Sequence, residues 1–359
     1  MFLGLTQNAC MDAPRPIELQ APDLSRWAPG NTGTPYVWRF DSGQPGPQVM
    51  VQALTHGNEI CGAIALDGLL GLQPQWQPVC GSLTLAFGNI AAYARWDPSH
   101  PDRSRYVDED FNRVWADDTL LGPRHSVELR RARELRPFVD AAELLLDIHS
   151  MGEACRPLMV CGADGRGGDK GASLSRRLQV PEVLLIDTGH PAGLRMIERG
   201  RFADPDDQRT AVLIECGQHW ECAAAEVARD TLLRFLGHSG VLAEGFVAEQ
   251  LTRLGRPPPA QQRLVRVTEA VVARSLEFRF VREFRGLEVI AHAGELIATD
   301  GAHEFRAPYD DTVLVMPGTT NLKVGMTTVR LGRFEEVTIP RQSRGHSECE
   351  PLEAAGRGR

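Results

Sequence analysis

Three short stretches of this chain bring histidine and carboxylate together: THGNE at residues 55–59, LLLDIHS at 144–150 and LIECGQH at 213–219. His56 and Glu59 are three apart, so on a turn leading into a helix both side chains can converge on one ion. Spacing alone equally permits a helix-capping Glu59 beside a polar His56 at a strand end. His149 follows an apolar run that reads as a central strand, two residues after Asp147; a hydrogen-bonded core histidine is the other reading. Taken together, His56, Glu59 and His149 make a three-ligand set that leaves one Zn2+ per chain an open position for water, the arrangement of hydrolysis rather than of structure. Hydrolysis also needs a carboxylate to accept the water's proton and pass it to a leaving amine. Glu215, at the end of another apolar run, is placed for that, with a salt-bridged acid at a helix start as its alternative. Asp147 is a candidate to orient a ligand histidine from behind.

A fourth cluster, RYVDEDFNRVW at 105–115, mixes Arg105, Asn112 and Arg113 with acids and aromatics. The fixed fork of an arginine suits a planar carboxylate or a polarised carbonyl. Standing alone, the cluster also reads as a solvated turn with surface ion pairs.

These residues need a scaffold that brings them together. Residues 1–34 read as an irregular lead with one short helix near Asp23–Trp27. Tyr36–Phe40 and Gln48–Ala53 are β-prone runs separated by the turn cluster DSGQPGP and are expected to pair. An apolar face of helical spacing predicts a helix over Glu59–Leu72, followed by a strand at Leu83–Gly88. The polar stretch Ala94–Asp118 is too long for a plain connector and is expected to be a functional loop. A charged helix over Ser126–Ala141 leads into a buried strand ending at His149. Further strands are predicted at Leu158–Cys161, Val183–Ile186 and Ala211–Glu215. This alternation indicates an α/β fold with a mostly parallel sheet, whose ligands bind beyond the carboxyl ends of the strands. His56, His149 and Glu215 all fall there, which predicts one shared site.

At 359 residues the chain exceeds one ordinary core. A catalytic domain over 1–254 and a second domain over 264–335 are therefore expected, with the linker GRPPPA between them. The second region is a series of short β-prone runs broken by Gly, Pro and Asp, and the apolar-poor tail 336–359 is expected to be disordered. The 47 acidic against 39 basic residues, with no long run of Lys or Arg, make nucleic acid and anionic membranes poor partners. The eight cysteines lack zinc-knuckle spacing and read as free thiols. With neither a signal peptide nor an apolar span in view, the cytoplasm is the expected compartment.

HGNE, RYxDxDxNR, DxHS and ExGQ, in that order across residues 48–220, resemble the succinylglutamate desuccinylase and aspartoacylase family, relatives of the zinc carboxypeptidases. The resemblance implies a carboxypeptidase-like mixed sheet flanked by helices. It implies zinc on His56, Glu59 and His149, and Glu215 as general base. By the same resemblance Arg105 polarises the scissile carbonyl, while Asn112 and Arg113 grip a substrate carboxylate. Phe111 stands where relatives often carry Leu, and ECGQHWE departs from the usual tail, adding His219 as a substrate contact or a structural histidine. DTGHPAGLR offers His190 and Arg195 where some relatives place recognition groups. The C-terminal region resembles the barrel-sandwich β-module of bacterial members. It lacks paired methionines around Lys323, so lipoyl or biotin attachment is not expected, and packing over the active-site mouth or a homo-oligomer interface is. The implied reaction is hydrolysis of a small N-acyl amino acid or related amide. The alternatives are a zinc carboxypeptidase acting on peptides and a zinc- or metabolite-binding relative without turnover.

Overall fold

Runs of Val, Leu and Ile bounded by Gly, Pro and Asp set the order of elements in the computed structural model, which describes residues 16–190, 192–320 and 322–335. The chain runs through β1 (Val37–Asp41), β2 (Gln48–Ala53), α1 (Ile60–Gly71), β3 (Ser82–Phe87) and the one-turn α2 (Ile90–Tyr93). Then come α3 (Asp117–Leu121), α4 (Val127–Ala141), β4 (Leu144–Met151), β5 (Leu158–Ala163), α5 (Gly168–Leu178) and β6 (Val183–Asp187). β7 (Thr210–Gln218), α6 (Cys222–Ser239) and α7 (Glu244–Leu254) complete the α/β portion. The remainder is β8 (Arg263–Val272), β9 (Arg279–Phe280), β10 (Glu288–Ile290), β11 (Leu296–Asp300), β12 (His303–Arg306), β13 (Thr312–Val315) and β14 (Thr327–Glu335). Between α2 and α3 the expected functional loop holds only short 3-10 turns at Pro101–Ser104 and Phe111–Arg113.

Among the described residues one sheet of eleven strands runs β1-β3-β2-β4-β7-β5-β6-β8-β14-β13-β10. β3, β2, β4 and β7 are parallel neighbours, as are β5 with β6 and β6 with β8, while β7 and β5 run antiparallel. Two sequence expectations need correction. β1 and β2 do not pair with each other: β1 pairs antiparallel with β3, which lies between them. Every residue of β3 is buried, and a strand buried in this way needs a neighbour on both edges, which the α1 crossover provides. His149 and Glu215 also lie inside their strands rather than at the ends, because β4 and β7 go on pairing as far as Met151 and Gln218.

Period-two alternation sorts the central strands into two faces. Val49, Val51, Leu146, Ile148, Val212 and Ile214 point into an apolar layer covered by α1, α5, α6 and α7. Met50, Leu145, Met151 and Leu213 point the other way, into a second core with Phe111, Trp115 and α4. Gln52, Asp147, His149 and Glu215 share that second face by their position in the alternation. Each fully buried Leu or Val contributes about 1.5–3 kcal/mol, so the first face holds the strands while the second can carry polar groups. Past the linker, β8 pairs parallel with β6 and extends the sheet into β14, β13 and β10. β12, β11 and β9 form a separate three-stranded sheet over a small core that includes Phe278, Ile297 and Leu314.

Candidate metal and catalytic centre

The turn after β2 carries the first half of the site. Leu54 adopts φ +60°, turning the chain out of the strand toward His56 and Glu59. Gly57 sits so close to the 93–105 loop that a Cβ there would lie 2.3 Å from Ser104 O and 2.4 Å from Tyr93 N, so no larger residue fits between the two ligand positions. Glu59 occupies the N-cap of α1, yet its side chain makes no capping bond. Instead Oε1 meets His56 Nδ1 at 2.6 Å and Oε2 meets His149 Nδ1 at 2.9 Å. All three residues are buried, and one donor atom from each lies within 4.8 Å of the others.

The far nitrogens of both imidazoles are held by carboxylates. His149 Nε2 meets Asp147 Oδ2 at 2.8 Å, and Asp147 Oδ1 accepts from Thr55 Oγ1 at 2.7 Å, which in turn accepts from Gln52 Nε2. His56 Nε2 meets Asp110 Oδ1 at 3.0 Å, and Arg105 reaches the other oxygen of Asp110 at 3.3 Å. With Nε2 held by an aspartate, each ring turns Nδ1 toward Glu59, so Nδ1 is the nitrogen that would bind a metal in place of its proton. Burial pushes the Glu59 carboxyl up, but His56 and His149 outweigh it and hold it well below its usual range. For His149, burial works downward and is outweighed by Asp147 and Glu59, which hold it well above its usual range. Two imidazole nitrogens and one carboxylate, oriented from behind, fit a borderline-soft divalent ion such as zinc.

Glu215 stands on β7 in register with His149 on β4, so its side chain projects on the same face one strand away. Its Oε2 is buried without a hydrogen-bond partner. Burial, then repulsion from Glu59 and Asp147, raises it to about 8 against the pull of His149 and Arg105. His219 Nδ1 meets Ser150 Oγ at 2.8 Å, and burial pushes this imidazole down to about 3, keeping it neutral.

The long loop supplies the cationic side. Asp110 caps the 3-10 turn through Asn112 N at 2.8 Å. Asn112 is buried and accepts Met196 N–H at Oδ1, while its amide NH2 has no protein partner among the described residues. Arg113 donates to Asn112 O at 2.6 Å; burial, with repulsion from Arg195, Arg105 and Arg330 exceeding the pull of Asp110, lowers it to about 10. Arg195 is occupied: it grips both oxygens of Asp187 at 2.7 Å and both of Glu198 at 2.6 and 3.0 Å. Half-buried His190 lines a cavity with Gly189, Gly193 and Glu198.

The structure thus brings His56, Glu59 and His149 together, with Arg105 bonded to the same centre and Glu215 on the adjacent strand; Asn112 and Arg113 flank it. Sequence reasoning left Asp110 and Glu128 unassigned. Glu128 is fully buried and accepts from the backbone N–H of Val107, Asp108 and Glu109 and from Asn89, which shapes the loop behind Arg105. A signal was present: Glu128 falls on the apolar stripe of α4 with Ala132, Leu135 and Val139.

The profile of the succinylglutamate desuccinylase/aspartoacylase catalytic domain matches residues 45–236, more than half of the chain, and the chain belongs to that family. Solved structures agree in fold. Succinylglutamate desuccinylase from Vibrio parahaemolyticus is 15% identical with a TM-score of 0.59, over 86% of this chain and 88% of its own. A succinylglutamate desuccinylase/aspartoacylase from Rhodobacter sphaeroides is 17% identical with a TM-score of 0.56, over 82% and 87%. The product-bound ectoine utilization protein EutE (DoeB) from Ruegeria pomeroyi is 16% identical with a TM-score of 0.55, over 81% and 86%. No curated protein sequence matches the chain. No helix among the described residues is long and apolar enough to cross a membrane.

Proposed function

We propose that this chain is a zinc-dependent amidohydrolase that cleaves a small N-acyl amino acid into a carboxylate and an amine. One observation carries the reading: two imidazole Nδ1 atoms face the two oxygens of a single buried carboxylate, each imidazole backed by its own aspartate. His56, Glu59 and His149 would hold the ion. Zinc, when bound, supplies the Lewis acidity that makes water a nucleophile near neutral pH.

The remaining work falls to the protein's own side chains. Glu215, whose Oε2 has no other partner, takes the proton from water and delivers it to the leaving nitrogen. Arg105 presents its guanidinium to the oxygen on which negative charge develops, where a preorganised cation is worth most. Asn112 and Arg113 hold the substrate carboxylate and so fix the amide relative to Glu215.

A small substrate fits better than a peptide because residues after β13 brace the loops around the site. Thr320 Oγ1 donates to Glu153 Oε1 at 2.6 Å, and Lys323 Nζ donates to Tyr106 Oη at 3.2 Å, beside Arg105. The region over 264–335 acts in this reading as a module covering the entrance. Six described cysteines are free thiols, which supports a reducing cytoplasmic setting.

Metal analysis of the purified chain, followed by assays of acetyl-, succinyl- and aspartyl-type amides beside short peptides, tests the proposal. One zinc per chain and turnover confined to acyl amino acids are expected. Turnover of peptides alone would transfer the chain to the carboxypeptidases, and bound zinc without hydrolysis of any amide would make it a binder.

A further inference from the structure

β7 does not stay regular past Glu215. His149 pairs with Glu215 but Met151 pairs with Gln218, so β7 carries one extra residue, and Gly217 absorbs it at φ +109°. The bulge changes which side chain faces where. Gln218 takes the face of Met151, and His219 takes the other with Ser150, whose Oγ meets His219 Nδ1 at 2.8 Å. The backbone N–H of His219 donates to Met151 O at 2.9 Å, and its ring lies 5.6 Å from that of Trp220, so the imidazole is held on two sides. Its Nε2 is different. Only 3% of His219 is exposed, yet Nε2 has no hydrogen-bond partner among the described residues and is not sealed from solvent. Gly152 leaves the space in front of it, since a Cβ there would come to 3.7 Å from Nε2. A buried nitrogen left unpaired at the edge of a site is a ready partner for a bound molecule.

Two imidazoles mark different ends of the site. After burial, the groups that act most on His190 are Arg113, Arg330 and Arg195, and those that act most on His219 are Glu59, Arg105, His56 and His149. His190 thus stands at the guanidinium corner with Arg113, and His219 stands at the metal ligands, away from that corner. An amide whose amino-acid carboxylate lies at Asn112 and Arg113, with its carbonyl at the centre, directs its acyl group toward His219. Little positive charge is left there. Arg105 already donates to Asp110 and Glu59, and Glu59, Asp110, Asp147 and Glu215 surround the centre. These carboxylates offset a bound divalent ion and Arg105 together, so a second carboxylate on the acyl group would be buried beside like charges without a cation of its own. An amide or hydroxyl matches better, since it both donates and accepts and so pairs with either tautomer of a neutral imidazole.

We propose that His219 is a specificity-determining residue that receives the acyl group through Nε2, and that the preferred acyl group is uncharged and carries a neutral polar function. This rests on the deacylase reading and adds to it the class of acyl group.

The test uses the full zinc-loaded chain and two substrates that differ in charge at the acyl end, N-succinamoyl-alanine and N-succinyl-alanine. Wild type should show kcat/KM about ten- to a hundredfold higher for the succinamoyl amide, mostly through KM. His219→Phe should collapse that ratio. His219→Gln, which keeps a donor and an acceptor, should retain part of it, and His219→Lys should turn it toward succinyl. A His219 that only latches β7 to β4 gives a different pattern: each variant slows both substrates by the same factor, and that unchanged ratio overturns the proposal. A wild type that prefers the succinyl amide overturns it equally. Should His219→Phe fail to fold, Gly152→Val, which sets a branched side chain against Nε2, takes its place and should collapse the ratio in the same way. Binding gives a readout without turnover. By calorimetry, succinamate should bind wild type about tenfold tighter than succinate, and His219→Phe should remove the difference. If no amide is hydrolysed but that preference depends on His219, the deacylase reading falls and the site for a neutral polar group stands. If acyl amino acids are hydrolysed with no preference for succinamoyl, the deacylase reading stands and the role of His219 falls.

Discussion

Two buried ionic clusters on the sheet differ in one respect. In the Asp187–Arg195–Glu198 cluster both carboxylates are turned toward one guanidinium, and Arg195 is satisfied within the chain. In the His56–Glu59–His149 cluster the imidazoles and the carboxylate point their donor atoms at a common centre, and Glu215 beside it leaves Oε2 without a partner. The first is closed and reads as structure. In the second the atoms that pair with one another are also metal donors, and Glu215 Oε2 beside them has no partner; the contrast separates a scaffold from a candidate site where residue type alone does not.

Substitutions in the two clusters should therefore have opposite signatures. The largest effect is expected at His149→Ala: zinc content should fall to zero and turnover with it, as measured by metal analysis and assay of one preparation. Glu215→Gln should keep zinc yet lower kcat by about three powers of ten, the scale of a lost general base beside a preorganised site. Full activity in that variant removes Glu215 from the mechanism. Arg195→Met should reverse the pattern. It strips buried Asp187 and Glu198 of the guanidinium they share, so denaturant unfolding should show about 3–5 kcal/mol of lost stability while zinc stoichiometry in the folded fraction is unchanged. Asp147→Asn is expected to weaken zinc affinity about ten- to a hundredfold, because the partner that orients His149 is lost; affinity equal to wild type would show that the strand alone positions the imidazole.

The smallest expected effect is a pH dependence. His190 and His219 are both lowered to about 3 in the folded chain, burial being the largest cause, against about 6.5 in an unfolded one. Between those values the unfolded chain binds protons that the folded chain refuses. Their contribution to stability is thus full above about pH 6.5 and declines as the pH falls toward 3. Melting temperature should drop from pH 7 to pH 4, and the His190→Gln, His219→Gln double variant should flatten that decline. An unchanged slope would mean the two rings are not held neutral.

Much of this architecture can be read along the chain. Apolar runs located most strands and helices to within a few residues, and the placement of His56, His149 and Glu215 toward the carboxyl ends of parallel strands pointed to one site. Pairing was less legible. DSGQPGP between β1 and β2 suggested a hairpin, but a turn cluster reports only that the chain bends, and β3 comes between them through contacts 40 or so residues away. Glu59 shows the same limit: its N-cap position was legible, while its turning away from the helix to meet two histidines was not.

The amino-acid sequence by itself determined which side chains share a face, since alternation along a strand and the stripe along a helix are local properties of the backbone. It also determined the order of the ligand-bearing motifs and hence the family. Only the tertiary structure decided that Asp110 backs His56 and that Glu128 holds the loop behind Arg105. Those contacts depend on strand register and loop closure, which are set by the packing of distant segments and leave no periodic trace in any one of them.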